Sequence, residues 1–163
     1  MQIRFINKAD FLICGYSVET SLDDSSKDVA ELYSDYFNTE KASLIDNAVN
    51  NKATEYYGLM WYLEGHERYN YLLGKETANL SAVPAEAETK LINAALYAVS
   101  YFERAHDNAK AWTDFFFEAI PQAGFAPDYE HGFFFEYYPE GVNGNYELWT
   151  PVVKADIEDD VYP

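Results

Sequence analysis

The chain has 163 residues, a length that fits one domain of ordinary size. It carries 11 Lys and Arg against 28 Asp and Glu, and this net charge of −17 argues against nucleic acid or an anionic membrane surface as a partner. A hydrophobic fraction of 48% excludes disorder, and no apolar run reaches the roughly 20 residues of a membrane span.

The first half of the chain predicts a strand, a helix and two further strands. Residues 11–20 are typical of a strand and end at a polar cluster. Apolar side chains at helical spacing over residues 29–45 predict a helix that breaks near Asn38 and then restarts. Two more strands are predicted at 55–64 and 69–77, joined by a tight turn.

The second half predicts the same order of elements. An aliphatic and aromatic strand is expected at 91–103, and Asp107 is a suitable N-cap for the helix that follows. That helix is expected to stop at Pro121, and strands at 133–139 and 146–154 complete the chain. Its apolar stripe is formed by Ala109, Trp112, Phe116, Ala119 and Ile120.

The order strand–helix–strand–strand thus occurs twice, over residues 11–77 and 96–154. Helices placed between hairpins predict an α+β fold with two main helices and a mostly antiparallel sheet. One domain is expected over residues 1–154, followed by an acidic, loosely attached tail at 155–163. Cys14 is the single cysteine and no signal pattern begins the chain, so a cytoplasmic setting is expected.

Two carboxylates stand inside strands that are otherwise heavily aromatic. Because side chains alternate faces along a strand, Glu136 shares a face with Tyr138, and Glu147 shares one with Trp149. An unpaired carboxylate among rings is costly to desolvate unless a cation or hydrogen-bond donors meet it. The pattern fits two solvated edge-strand glutamates, and it equally fits an aromatic pocket that selects a lipophilic cation.

Motifs of other chemistries are missing from the sequence. It has no nucleophile elbow, phosphate-binding loop or dinucleotide fingerprint, so no cofactor is expected. His66, His106 and His131 lie far apart near predicted turns, which indicates solvent-facing histidines and no metal site. Trp112 lies on an apolar helical stripe, which predicts a core contact. Trp61 could contact either the core or a ligand, because a one-residue register error would move it to the opposite face.

Six pieces of the chain occur in the order that one known family shows. They are Tyr57-Gly58-Leu59, Tyr69-Asn70-Tyr71-Leu72-Leu73-Gly74, Leu96-Tyr97-Ala98-Val99, Trp112 followed by Ile120-Pro121-Gln122-Ala123-Gly124-Phe125, Phe135-Glu136-Tyr137-Tyr138, and Glu147-Leu148-Trp149-Thr150-Pro151-Val152. On these pieces the chain resembles the GyrI-like small-molecule-binding family, also found as the effector-binding domain of AraC- and MerR-type drug-responsive regulators. The resemblance covers most of residues 11–154.

The resemblance implies two pseudo-symmetric strand–helix–strand–strand units that share one curved sheet, with a ligand cleft between them. It places Glu136 with Tyr138, from the Phe-Glu-x-Tyr strand, and Glu147 with Trp149, from the last strand, at that cleft. The two carboxylates are therefore expected to form the acidic walls of one aromatic pocket. Three aromatic residues are further candidates for ligand contact, namely Tyr57, Tyr97 and Trp61.

The function that the resemblance implies is that of a stand-alone effector-binding protein for lipophilic, cationic aromatic small molecules. No helix-turn-helix precedes the domain, so a role in transcription would require a separate DNA-binding partner protein. An enzyme is the alternative, because some relatives hydrolyse reactive cyclopropane-bearing natural products with a pocket Glu and Tyr, here Glu136 and Tyr138. A second alternative is an acidic protein-interaction module of the gyrase-inhibitor kind.

Overall fold

The computed structural model describes residues 1–50, 53–65, 67–78, 83–105 and 107–155. The elements of the first half are β1 Arg4–Lys8, β2 Phe11–Ser21, α1 Ser25–Asn38, α2 Lys41–Val49, β3 Tyr56–Tyr62 and β4 Arg68–Thr77. Those of the second half are β5 Glu88–Ile92, β6 Ala95–Phe102, α3 Asn108–Asp114, a π-helical turn Phe115–Ala119, α4 Ile120–Gln122, β7 Phe125–Pro127, β8 Phe134–Tyr138 and β9 Tyr146–Lys154.

The strands form one sheet in the order β1-β6-β9-β8-β3-β4-β2-β5, and β7 pairs with β9 outside this path. All the described pairs are antiparallel. The order β6-β9-β8 in one half repeats β2-β4-β3 in the other, and β8 meets β3 at the centre. The predicted α+β class with its mostly antiparallel sheet is confirmed, and both units place their last strand between the other two.

The single strand predicted at 91–103 is in fact two strands that belong to different halves of the sheet. β5 pairs with β2, whereas β6 pairs with β1 and β9. The chain turns between them, where the backbone N–H of Ala94 donates to Asp10 Oδ1 at 2.9 Å. A largely apolar run cannot reveal such a change of partner, because it indicates a buried segment but not the strand with which each part pairs.

The helix of the second unit does not stop at Pro121 as predicted, but continues through it to Gln122. The π-helical turn lies immediately before this proline, and the N–H of Ile120 donates to the carbonyl of Phe115. Proline lacks an N–H, and its ring would meet a carbonyl of the preceding turn in a regular α-helix. The π-helical turn therefore lies where the proline ring would disturb a regular helix.

The sheet is strongly curved. The ring centroids of Phe11 on β2 and Phe135 on β8 are 5.5 Å apart, although these strands are three places apart in the sheet, roughly 14 Å if it were flat. Gly15 and Gly74 are directly paired on β2 and β4, and a Cβ at Gly15 would lie 2.1 Å from the carbonyl oxygen of Leu73. This pair of glycines permits a backbone approach that any side chain would prevent.

The curved sheet separates two cores. On one face, called the helical face below, strand residues pack with helix residues such as Leu32, Tyr36 and Phe115. On the other, called the concave face, the core consists of strand residues alone and is centred on Phe135. Because neighbours along a strand alternate between these faces, the register of each strand decides which core a residue joins.

Lys75 and Cys14 are buried side chains that do not line the cleft described below. Lys75 on β4 is 1% exposed and forms an ion pair with Asp46 of α2 at 2.8 Å, which ties that helix to the sheet. Cys14 is buried as predicted, and burial raises the pKa of its thiol.

Ala155 is the last described residue, and its N–H donates to the carbonyl of Gly124 at 2.9 Å. The rest of the predicted acidic tail, 156–163, lies outside the described residues. In the described part of the chain, the helices lack the length and apolar character needed to cross a membrane.

Candidate functional site: an aromatic cleft around a buried glutamate

A large cleft opens on the helical face between α1 and α3, with β3, β4, β8 and β9 as its floor. Its volume is about 910 Å³, within the range of small-molecule pockets. Its walls are mainly aromatic and include Tyr33, Tyr69, Tyr71, Trp112, Phe134 and Tyr138. A second hollow of about 100 Å³ shares Tyr62, Phe116 and Phe134 with the cleft, and it is too small for a drug-sized ligand.

Glu136 on β8 is the buried acid of this cleft, with 4% of its surface exposed. Its Oε1 accepts hydrogen bonds from the hydroxyls of Tyr71 at 2.7 Å and Tyr138 at 2.9 Å. Its Oε2 accepts one from the indole Nε1 of Trp112 at 2.9 Å. Among the described residues, none of the ion pairs involves Glu136. The carboxylate is therefore held by neutral donors, without a basic partner from the described chain.

The phenols around the carboxylate are held in their protonated form. Burial, followed by the negative charge of Glu136, raises the pKa of Tyr71, Tyr138 and Tyr33 well above the ordinary value of 10.0. The hydroxyls of Tyr33 and Tyr71 lie 2.5 Å apart, so the network extends from β8 through β4 to α1. Both halves of the sheet and both main helices thus take part in holding one carboxylate.

The sequence-predicted site residues do not lie in a single pocket. Glu136 and Tyr138 are in the cleft, as their shared face predicts. In the register of β8 with β9, however, Glu136 is opposite Leu148, whereas Tyr137 is opposite Glu147. Glu147 and Trp149 therefore lie on the concave face, and the expectation that both carboxylates form the walls of one pocket is wrong.

The three further aromatic candidates also lie on the concave face, where they pack around Phe135 and its neighbours. Tyr97 is 1% exposed, and its ring packs on Phe135 and Trp149 with centroids 5.5 and 5.6 Å away. The hydroxyl of Tyr57 donates to Glu76 at 3.3 Å. Trp61 lies under the Nζ of Lys90, 4.8 Å from the ring centroid. Ligand contact by these residues stays a prediction. Their position on the concave face, opposite the cleft, does not favour it.

Glu147 differs from Glu136 in having a basic partner of its own. Arg4 of β1 forms an ion pair with Glu147 at 2.7 Å, and the indole of Trp149 donates to the same carboxylate at 3.1 Å. The Nζ of Lys8 lies 5.9 Å from the ring centroid of Trp149. On the concave face, Arg4 therefore already pairs with the carboxylate of Glu147, and Lys8 lies near the ring of Trp149.

Sequence reasoning missed three members of the network, namely Trp112, Tyr71 and Tyr33. Trp112 was expected in the core, because a helical stripe shows only which side of a helix is apolar. Tyr69 and Tyr71 are two residues apart on one strand, so they share a face. This spacing does not show which other strands lie beside theirs. Pairing across the sheet, rather than any local pattern, brings these donors to Glu136.

The fold and the cleft define an effector-binding domain of the GyrI-like type, as the resemblance implies. A family model described as "Cass2: Integron-associated effector binding protein" matches residues 4–152, and the chain belongs to this family. No curated protein sequence matches the chain at a significant level.

Solved structures of the same fold have low sequence identity to the chain. SAV2435 bound to tetraphenylphosphonium has a TM-score of 0.75 and 15% identity, with 94% of each chain covered. A putative transcription regulation protein from Staphylococcus aureus has a TM-score of 0.70 and 15% identity, with 93% of this chain and 98% of that chain covered. The integron cassette protein VCH_CASS2 from Vibrio cholerae has a TM-score of 0.66 and 12% identity, with 93% and 95% covered.

Two further structures are of a protein in a complex with DNA and of a hydrolase. EcmrR, in a complex with DNA, has a TM-score of 0.65 and 10% identity, and 58% of that chain is covered. A hydrolase from Listeria innocua has a TM-score of 0.50 and 10% identity, with 93% of this chain and 92% of that chain covered. At these identities the similarity concerns the fold alone.

Proposed function

We propose that this protein is an effector-binding protein that takes up lipophilic, cationic aromatic small molecules in the cleft around Glu136. One observation carries the proposal: Glu136 is buried among rings and hydrogen-bonded by three neutral donors, and it forms no ion pair with a described residue. A bound cation supplies the missing charge partner. The aromatic walls add cation–π contacts of about 0.5–2 kcal/mol each and apolar area for a hydrophobic body.

Size and long-range charge support the same ligand class. A cleft of about 910 Å³ accommodates a molecule of several rings. The net charge of −17 attracts cations from solution and raises their local concentration near the cleft. A neighbour with the same fold binds tetraphenylphosphonium, a large aromatic cation, which makes this compound a suitable first probe.

We also propose that ligand binding is linked to transcription through a separate DNA-binding partner protein. The net charge of −17 makes direct phosphate contact by this domain unfavourable. The fold neighbour EcmrR, in a complex with DNA, supports an effector-binding role in such regulation. Catalysis by Glu136 and Tyr138 has weaker support, because both oxygens of Glu136 are engaged by side-chain donors and the phenol of Tyr138 is one of them.

The test is a titration of the purified protein with tetraphenylphosphonium by calorimetry, compared with neutral triphenylphosphine oxide. Saturable binding of the cation is expected, with Glu136→Gln weakening it by about 30-fold or more, since removing a buried charge partner costs about 2 kcal/mol or more. Glu147→Gln is the matched control, because it removes the same charge on the concave face, and it should leave affinity within about twofold. If the two variants behave alike, or the neutral compound binds equally well, the proposal is wrong.

A further inference from the structure

We propose that the cleft selects cations whose charged centre carries no hydrogen-bond donor, such as quaternary ammonium, phosphonium and delocalised aromatic cations. Primary ammonium groups on the same aromatic body are disfavoured. This inference rests on the proposed function and narrows the ligand class of the same site. It follows from how few acceptor positions remain at Glu136.

A carboxylate has about four lone-pair positions on its two oxygens. The two tyrosine hydroxyls occupy both positions of Oε1, and the indole of Trp112 occupies one position of Oε2. About one position, on Oε2, is left for a ligand. Only 4% of the residue is exposed, so a ligand has little access to the two oxygens beyond these donors.

A primary ammonium presents three N–H donors and is strongly hydrated in water. In the cleft it would find one free position on Glu136, while the phenols and the indole beside it direct their hydrogens to that same carboxylate. The Tyr71 oxygen is further shared with Tyr33. Donors left without acceptors on burial lose their hydrogen bonds to water without compensation.

The other described acid in the lining of the cleft is exposed, so it is a solvated acceptor and not a buried one. Asp107 is the N-cap of α3, and its Oδ1 accepts from the backbone N–H groups of Ala109 at 2.9 Å and Lys110 at 3.2 Å. A phosphonium or quaternary ammonium centre needs no acceptor, because it interacts through its charge and its contact with ring faces. The buried part of the site therefore provides a cation without N–H groups with the charge and ring contacts that it needs. It provides a primary ammonium with too few acceptors for its three N–H groups.

The experiment uses three fluorescent probes with one pyrenylmethyl body, which carry a primary ammonium, a trimethylammonium or a neutral tert-butyl group. Affinities are measured at pH 7 for the wild-type protein. The trimethylammonium probe is expected to bind about 10-fold or more tightly than each of the other two. Equal affinity for the two cations overturns the inference while leaving the proposed function intact. If neither cation binds better than the neutral probe, the proposed function itself fails.

Three added methyl groups also bring apolar area, so the decisive quantity is how the ratio of the two cation affinities changes in variants. Trp112→Phe frees a position on Oε2 and is expected to reduce the preference for trimethylammonium by about threefold or more. Tyr138→Phe frees a position on Oε1 and serves as a second variant with the same expected direction. Trp149→Phe, on the concave face, is the control and should retain the wild-type ratio. An unchanged ratio in both cleft variants overturns the inference.

Discussion

The hydroxyl of Tyr71 donates to Glu136 at 2.7 Å across the backbone of Gly58, which lies on the strand between them. A Cβ at position 58 would lie 2.1 Å from the Tyr71 hydroxyl oxygen and 2.8 Å from Oε1 of Glu136. The bond that joins the two halves of the sheet at the cleft therefore requires a residue without a side chain at this position.

We expect Gly58→Ala to push Tyr71 away from Glu136. Overpacking of this kind costs about 1–3 kcal/mol of folding free energy, and the displaced phenol should also weaken cation binding. Urea unfolding and calorimetric titration measure the two effects. The combination with Tyr71→Phe, which removes the clashing hydroxyl, should cost less than the sum of the single changes. Additive costs would show that the two residues do not meet as described.

Trp112 is the fluorescent reporter of the cleft. Of the three tryptophans in the chain, Trp112 lines the cleft, whereas Trp61 and Trp149 lie on the concave face. Tetraphenylphosphonium should therefore change tryptophan emission in the wild type, in Trp61→Phe and in Trp149→Phe, but should lose most of this change in Trp112→Phe. A signal that disappears in Trp149→Phe instead would place the ligand on the opposite face.

The ion pair of Lys75 with Asp46 should matter for stability and not for binding. Asp46→Ala leaves the ammonium of Lys75, which is 1% exposed, without its carboxylate, and we expect a loss of about 2–4 kcal/mol in the free energy of unfolding. Asp35→Ala, which breaks a more exposed pair with Lys41, is the matched control and should cost about 1 kcal/mol or less. Equal losses in chemical denaturation would contradict the buried role of Lys75.

Buried tyrosines should make the fold sensitive to alkali. Burial raises the pKa of Tyr97 from 10.0 to about 12. The unfolded chain therefore loses this proton at a lower pH than the folded chain, so stability is fully present below pH 10 and falls as pH rises towards 12. Tyr97→Phe should make this fall shallower in urea unfolding at pH 8, 10, 11 and 12. An unchanged slope would show that Tyr97 titrates alike in both states.

Local patterns were sufficient for the repeated order of elements and for the pairing of side chains within a strand. The alternation that places Glu136 beside Tyr138 is a property of one strand, and it is the reason that their hydrogen bond was foreseeable. The same reasoning correctly joined Glu147 to Trp149. Alternation within a strand could not show whether the two pairs face the same side of the sheet. That depends on the register of each strand with its neighbour.

The sequence by itself therefore determined the α+β class, the duplicated unit and the presence of a carboxylate in each of two aromatic strands. Only the tertiary structure decided that Glu136 faces the helices and Glu147 the concave side, through a register in which Glu136 is opposite Leu148. It also decided which carboxylate meets Arg4 and which meets only neutral donors. The physical reason is that charge pairing and desolvation depend on contacts between residues far apart in the chain, which no local period records.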